Sequence, residues 1–215
     1  MIGVLVAADR ICLVVAERMA ADTLQHSQQL PRRPDVSIDG FPFLTQLAAE
    51  RFGEIEVRLD DLVVGSGDRT VTLARVHLTL HDVHVFDTFH RATSRSGTAT
   101  ALITYAELSR VVGVPLSYAG SGRIVAQGSV TVAGESVRGT VSAAPTLSGT
   151  QLSFAQPQAT VAGIGIPGAD AALAALLARP IDLSSLPFGL HVDAIDTGAA
   201  GVSVTLSAAN LSYRR

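Results

Sequence analysis

The side chains best equipped for chemistry gather in one short stretch. His77, His81 and His84 fall within eight residues, Asp82 lies among them, and His90 follows. Imidazole nitrogens and a carboxylate oxygen are donors that zinc accepts, and a site with an open position would suit a metal-dependent hydrolase. The stretch alternates like a strand, however, and same-face neighbours on a strand stand about 7 Å apart. Three ligands on one strand therefore seldom converge on one ion. A bulge near Asp82 would place His77 and His84 on one polar face with it. A solvated strand face that happens to carry histidine explains the same residues, and no metal site is expected.

Other chemistries lack their spacing. There is no G-x-S-x-G elbow, and Gly163-Ile164-Gly165 and Gly120-Ser121-Gly122 match neither dinucleotide nor phosphate-loop patterns. Both read as turns or sheet bends. Asp60 and Asp61 are adjacent and would point to opposite faces of a strand, while Asp193 and Asp196 could meet only through a bulge. The single cysteine, Cys12, excludes an intramolecular disulfide and a cysteine-rich metal site. Its apolar neighbours Ile11, Leu13 and Val14 predict a buried thiol. No cofactor is implied, and the chain is not expected to be an enzyme.

The apolar residues are the more informative part. Of 215 residues, 47% are apolar but only 5% are aromatic, and Trp is absent. A core must then be built from Val, Leu, Ile and Ala, which fit a pleated half-buried surface and can line a cavity without polar atoms needing partners. A net charge of −3, with all sixteen basic residues Arg, leaves no footprint for nucleic acid.

Stepping along the chain, an amphipathic helix is expected from about residue 4 to 26, within an N-terminal segment 1–26, with Val15, Met19 and Leu24 continuing its apolar pattern. Its start, MIGVLVAADRICLVVA, is too short and too interrupted by Asp9 and Arg10 for a spanning helix. It reads as the stub of an export segment or as a helix packed on the fold. Pro31 and Pro34 end the helix, and Thr45 is expected to cap a short helix ending near Gly53. Ile55, Val57 and Leu59 share one strand face. In the next strand the apolar parity changes twice: Val71 and Leu73, then Val76, Leu78 and Leu80, then Val83 and Val85. Each change turns the apolar residues outward unless a bulge corrects it, so a strongly coiled sheet is expected.

The segment 87–96 reads as a polar loop and 97–104 as a strand. Thr104-x-x-Glu107 is a capping box opening a helix to Gly113. Strands are expected near 123–132, with Ile124, Ala126, Val130 and Val132 on one face, then at 137–143, 151–154 and 158–162. An Ala/Leu helix spans 168–179, and strands near 190–195, 202–208 and 211–213 close the chain. The whole is one domain, 1–215, of α+β class.

The string IDGFPFLTQL at 38–47, the strand EIEVRLDDLVV, ATALITYAELSRVVG at 99–113, LPFG at 186–189 and the closing GVSVTLSAANLSY appear in an order that resembles the actinobacterial LmeA-like family across nearly the whole chain. That resemblance implies a tubular lipid-binding-like fold, a highly curved antiparallel sheet wrapped around a long N-terminal helix, with an apolar tunnel for acyl chains. It implies binding of anionic phospholipid, phosphatidylinositol species included, support of envelope glycolipid assembly, and a place at the membrane surface on the extracytoplasmic side of the cell envelope. Phe41, Phe43, Leu44 and Leu47 are then expected to line the tunnel with Leu108, Val112, Leu173, Leu176 and Leu177. The corner around Pro42 is expected to form the tunnel's lip rather than a plug. Arg32, Arg33, Arg91 and Arg95 are the headgroup candidates, because guanidinium binds phosphate bidentately. The alternatives are a hydrolase using His77, His81 and His84, and an adaptor domain with a solid core.

Overall fold

The computed structural model describes residues 2–66, 69–86, 91–132, 134–149, 151–161, 168–178, 180–182 and 191–214. His90, Gly163-Ile164-Gly165, Arg179 and the LPFG string at 186–189 lie outside the described residues.

A long helix α1 (Ile2–Ser27) opens the chain, ended by Gln29 in the left-handed conformation (φ 51°). The Leu30 N–H closes back onto the Gln25 carbonyl at 3.0 Å before Pro31 takes the chain away. Then come β1 (Asp35–Asp39), α2 (Phe43–Ala48), β2 (Arg51–Ser66), β3 (Arg69–Phe86) and β4 (Arg91–Ile103). After α3 (Tyr105–Val112) follow β5 (Leu116–Gly120), β6 (Arg123–Val132), β7 (Glu135–Ser148) and β8 (Gln151–Val161). The chain finishes with α4 (Ala169–Ala174) and a 3-10 turn (Ala175–Leu177), β9 (Ile181–Asp182), β10 (His191–Gly198) and β11 (Gly201–Arg214).

The strands form two antiparallel sheets, ordered β1-β2-β3-β4-β11-β10 and β5-β6-β7-β8-β9, and neither closes on itself. Buried residues of both sheets, among them Val76, Ile103 and Val202 of the first and Ile124, Val141 and Leu152 of the second, join in one large apolar cluster. A smaller cluster of Leu13, Ile38, Phe43, Phe52, Val83 and Val85 occupies the other end of the first sheet.

Both parity changes in β3 are realised. The β2–β3 register runs unshifted from Arg51↔His84 to Ser66↔Arg69, but the pairs Gly53/Asp82 and Asp61/Ala74 are missing from it. At each break one residue adopts a left-handed backbone, Asp82 (φ 48°) and Asp61 (φ 55°). Aspartate tolerates that region because its short side chain can bond locally. One such residue resets which face the following side chains take, so Val71, Leu73, Val76, Leu78, Val83 and Val85 are all buried. The expected correction is therefore present, without the register slip of an ordinary bulge. The same break crosses the sheet: β4 and β11 omit the pair Arg95/Asn210, with Asn210 at φ 54°. Gly53, Asp82, Arg95 and Asn210 thus mark a crease across four strands.

Several expectations are corrected. Residues 91–96 belong to β4 and not to a loop, because they pair with 209–214 on one side and with 81–86 on the other. The strands expected at 151–154 and 158–162 are one strand, β8, with a bulge opposite Ala143 where Gln156 is left-handed. Those at 202–208 and 211–213 are likewise one, β11. The Ala/Leu helix stops at Ala174 and tightens into the 3-10 turn. Helix α2 is preceded by Pro42 rather than capped by Thr45, and Gly53 sits inside β2. Cys12 is exposed.

Helix α1 is laid along one edge of the first sheet and packs chiefly on β1 and α2. Glu17 accepts the Ile38 N–H at 3.0 Å, satisfying a donor that edge strand β1 would otherwise leave open. Leu13 and Ala21 are buried by this contact, whereas Val15 and Met19, expected on the packed face, are exposed.

Candidate ligand cavity

Between the two apolar clusters the first sheet keeps an open space of about 340 Å³. Val36, Val57, Val64 and Leu78 of its wall belong to the large cluster and Ile38, Val83 and Val85 to the small one. The cavity exists because the two clusters do not merge. The C-terminal half of α1 roofs it with Ala20, Thr23 and Leu24, and Gln28 and Leu30 extend that side. Along β2 the wall runs through Ile55, Val57, Leu59 and Leu62 to Val64, the set that the left-handed Asp61 keeps on the inner face.

Among the described residues, no charged side chain lines this space; its polar members are Thr23, Gln28, Thr93, Ser94 and Ser212. The buried Ser94 hydroxyl is already engaged, 2.7 Å from the His81 carbonyl and 2.8 Å from that of Ser96. Such a wall offers water few hydrogen bonds and an alkyl chain close dispersion contact. The volume falls within the range of roughly 300–1,000 Å³ usual for small-molecule sites.

Behind two side chains of the lining, Gly97 makes room: a Cβ there would lie 2.7 Å from Leu211 Cδ1 and 3.0 Å from Leu80 Cδ2. At its rim, Arg32 stands two residues past Leu30 and pairs at 3.2 Å with Asp61, which directly precedes Leu62. Arg32 and Asp61 side chains are both well exposed, so the pair is held loosely.

The residues expected to line a tunnel are distributed otherwise. Phe43 is fully buried, stacked on Phe52 with ring centroids 6.1 Å apart, and Leu47 packs against the same small cluster. Phe43 is enclosed in that cluster and is not among the residues that line the cavity. Phe41 is 63% exposed beneath the Arg10 guanidinium, and Leu44 is exposed beside it. Leu108, Leu173 and Leu177 are buried in the large cluster, with Val112 and Leu176 packed against it. Leu173 and Leu176 press into notches left by Gly139 and Gly128, seating α4 on the second sheet. None of these nine residues lines the cavity described above.

Of the headgroup candidates, Arg32 pairs with Asp61 beside Leu62 of the lining. Arg33 binds Asp22 at 2.9 Å and the Arg18 carbonyl at 2.8 Å. Arg91 begins β4, and Arg95 lies 3.4 Å from Asp82 in a second recess along the crease. That recess shares Thr93, Ser94, Leu211 and Ser212 with the apolar cavity. Asp82 is drawn below the usual carboxylate pKa by its hydrogen bond from Arg51 and by the charge of Arg95, against a lesser contribution from burial.

The histidines do share the outer face, as the break at Asp82 allows, but they do not converge. His81 lies 3.3 Å from Glu54, His77 lies 3.4 Å from Glu56 without hydrogen-bond alignment, and His84 stacks on Phe86. Among the described residues, the group whose carboxylates approach one another within 4.8 Å is Asp39, Glu54 and Glu56, and it contains no histidine. A bulge does form at Asp193, yet that residue and Asp196 join no such group.

The cavity-lining residues were legible as a pattern. The β2 and β3 alternation marks an inner face; nothing local says that the face borders an open space and not a filled core. A family model described as LmeA-like phospholipid-binding matches residues 7–207 of the chain. No curated protein and no solved structure matches it.

Proposed function

Since the chain belongs to the LmeA-like phospholipid-binding family, we propose that the cavity between α1 and β1–β4 takes the acyl part of its phospholipid. The observation that carries this reading is a lining that, among the described residues, holds no charged side chain. An acyl chain gains about 0.8 kcal/mol per methylene on leaving water. In a bilayer that gain is already made, so the cavity need only match the membrane for exchange to be reversible.

Preference for an anionic lipid is the finer part of the proposal. It is supported by Arg32 at the rim, which can trade the exposed Asp61 carboxylate for a phosphate. Phosphatidylinositol species, a part in envelope glycolipid assembly and an extracytoplasmic place at the membrane belong to the same proposal and are supported by the family resemblance.

The test is to incubate the purified chain with mixed phosphatidylcholine and phosphatidylglycerol, re-isolate it and measure bound lipid by native mass spectrometry. Lipid is expected on the wild type, with the anionic species enriched, and the enrichment is expected to fall in Arg32→Ala. Recovery of lipid-free protein defeats the reading; unchanged enrichment in Arg32→Ala defeats the assignment of Arg32.

A further inference from the structure

Helix α1 is apolar on both sides. Towards the sheet it presents Leu13, Ala20, Ala21 and Leu24. Away from the sheet it presents Val4, Ile11, Val15 and Met19, which are 74, 66, 50 and 62% exposed. These four lie within about 80° of one another around the helix at 100° per residue, and they extend along some 22 Å of its length. Phe41 and Leu44, exposed at the start of α2, flank the same end of the helix. A helix apolar all round normally has both sides covered. The fold covers one.

The charges around this strip are ordered. Asp9, the one acid before residue 17, is buried and turned to the α2 backbone, and Glu17 is turned to the edge of β1. Among the described residues, the exposed basic side chains near the strip are Arg18 and Arg10, whose guanidinium pairs with Asp9 at 2.7 Å and lies 5.2 Å from the Phe41 ring centre. Asp22, the first exposed acid, comes beyond Met19 and is neutralised by Arg33 at 2.9 Å. An aliphatic strip edged by arginine over an aromatic ring is the arrangement by which helices lie in a bilayer interface, the apolar side among the acyl chains and the guanidinium at the phosphates. A second copy of the chain fits less well, because two such strips face to face would also bring their arginine borders together.

We infer that the outward face of α1, with Phe41 and Leu44, is a docking surface for an anionic lipid bilayer, holding α1 in the plane of the membrane. The same helix roofs the cavity with its C-terminal half, so docking brings the rim at Leu30 and Arg32 to the headgroup layer. The choice of a bilayer as occupant rests on the phospholipid reading above; the surface is separate from the cavity.

The sole cysteine offers a reporter. Cys12 is exposed beside Ile11 on α1, and an environment-sensitive fluorophore attached there labels one place in the native chain. Phosphatidylcholine vesicles containing phosphatidylglycerol should blue-shift its emission and sediment the protein, pure phosphatidylcholine vesicles much less. Ile11→Asp combined with Met19→Asp, both at exposed positions, should lower vesicle binding at least tenfold. That variant should still bind water-soluble, short-chain phosphatidylglycerol as the wild type does, which also shows that it is folded. Vesicle binding undiminished in the variant overturns the inference, and equal binding to the two vesicle types overturns its anionic part. A label that shifts with protein concentration alone, with no vesicle binding, overturns it in favour of a second copy. Vesicle binding without short-chain lipid uptake by the wild type supports docking and sinks the cavity reading instead.

Discussion

The Asp9 carboxylate accepts the Leu44 backbone N–H at 2.8 Å, so a residue in the first third of α1 caps the start of α2. Pro42, at the cap position itself, offers no side-chain acceptor, and Asp9 satisfies from outside a donor that the helix start leaves open. Arg10 closes over the other carboxylate oxygen at 2.7 Å. Burial pushes the Asp9 pKa up, but the Leu44 N–H and the Arg10 guanidinium outweigh it and hold the group below the ordinary aspartate value. The stabilisation from a depressed carboxylate is fully present above the unfolded pKa and lost as pH falls through the folded one. Asp9→Ala should lower the melting temperature at neutral pH, speed hydrogen exchange at the Leu44 amide, and reduce the further loss on going to about pH 3. A variant with the wild-type pH dependence would show that Asp9 does not hold this corner.

Glu107 makes the same kind of link between α3 and β3. Its hydrogen bond from Arg110 is the main cause, and the Thr72 N–H at 2.6 Å helps against burial, of a pKa lowered from 4.5 to about 2. Nuclear magnetic resonance titration should place the Glu107 carboxyl near that value. Its share of the stability should be complete above about pH 4.5 and disappear as pH falls towards 2. A titration midpoint at the ordinary glutamate value contradicts the assignment.

Phe43 is 0% exposed and stacked on Phe52. Phe43→Ser removes a buried ring and leaves a hydroxyl with no evident partner, at a cost of about 3–5 kcal/mol. Thermal or denaturant unfolding measures this directly. A change below about 1 kcal/mol would mean that the small cluster is not a closed plug.

Gly97 separates folding from binding. A valine there pushes its branches against the ends of Leu80 and Leu211, two side chains that line the cavity. Gly97→Val should lose some stability, on the order of 1–3 kcal/mol as for other overpacked sites, while lipid uptake falls markedly. Full lipid uptake by a folded Gly97→Val protein would place the acyl site elsewhere.

The local rules were legible wherever neighbours in sequence decide the outcome. Thr104 accepts the Glu107 N–H at 3.3 Å and Gly113 ends α3 in the left-handed conformation, as the capping pattern requires. The reciprocal half of that box is absent, because the Glu107 carboxylate is taken by Thr72, a partner 35 residues away. The parity changes along β3 marked where the alternation needs correcting, one of them near Asp82, since a strand's period of two leaves no other way to keep one face apolar; that Asp61 of β2 takes the left-handed conformation at the other is seen only in the structure.

Where residues are distant in sequence, only the tertiary structure decided. The apolar pattern of α1 is equally compatible with either side facing inward, and contact with β1 and α2 selects Leu13 and Ala21 over Val15 and Met19. Aliphatic residues that fill a core and those that border a cavity have the same types and period. What distinguishes Leu173, pressed into the notch at Gly139, from Leu80, facing open space, is whether another element reaches it. Along the strands, the sequence alternation determines which side chains leave water; the spacing of packed elements determines whether anything is left for a ligand to fill.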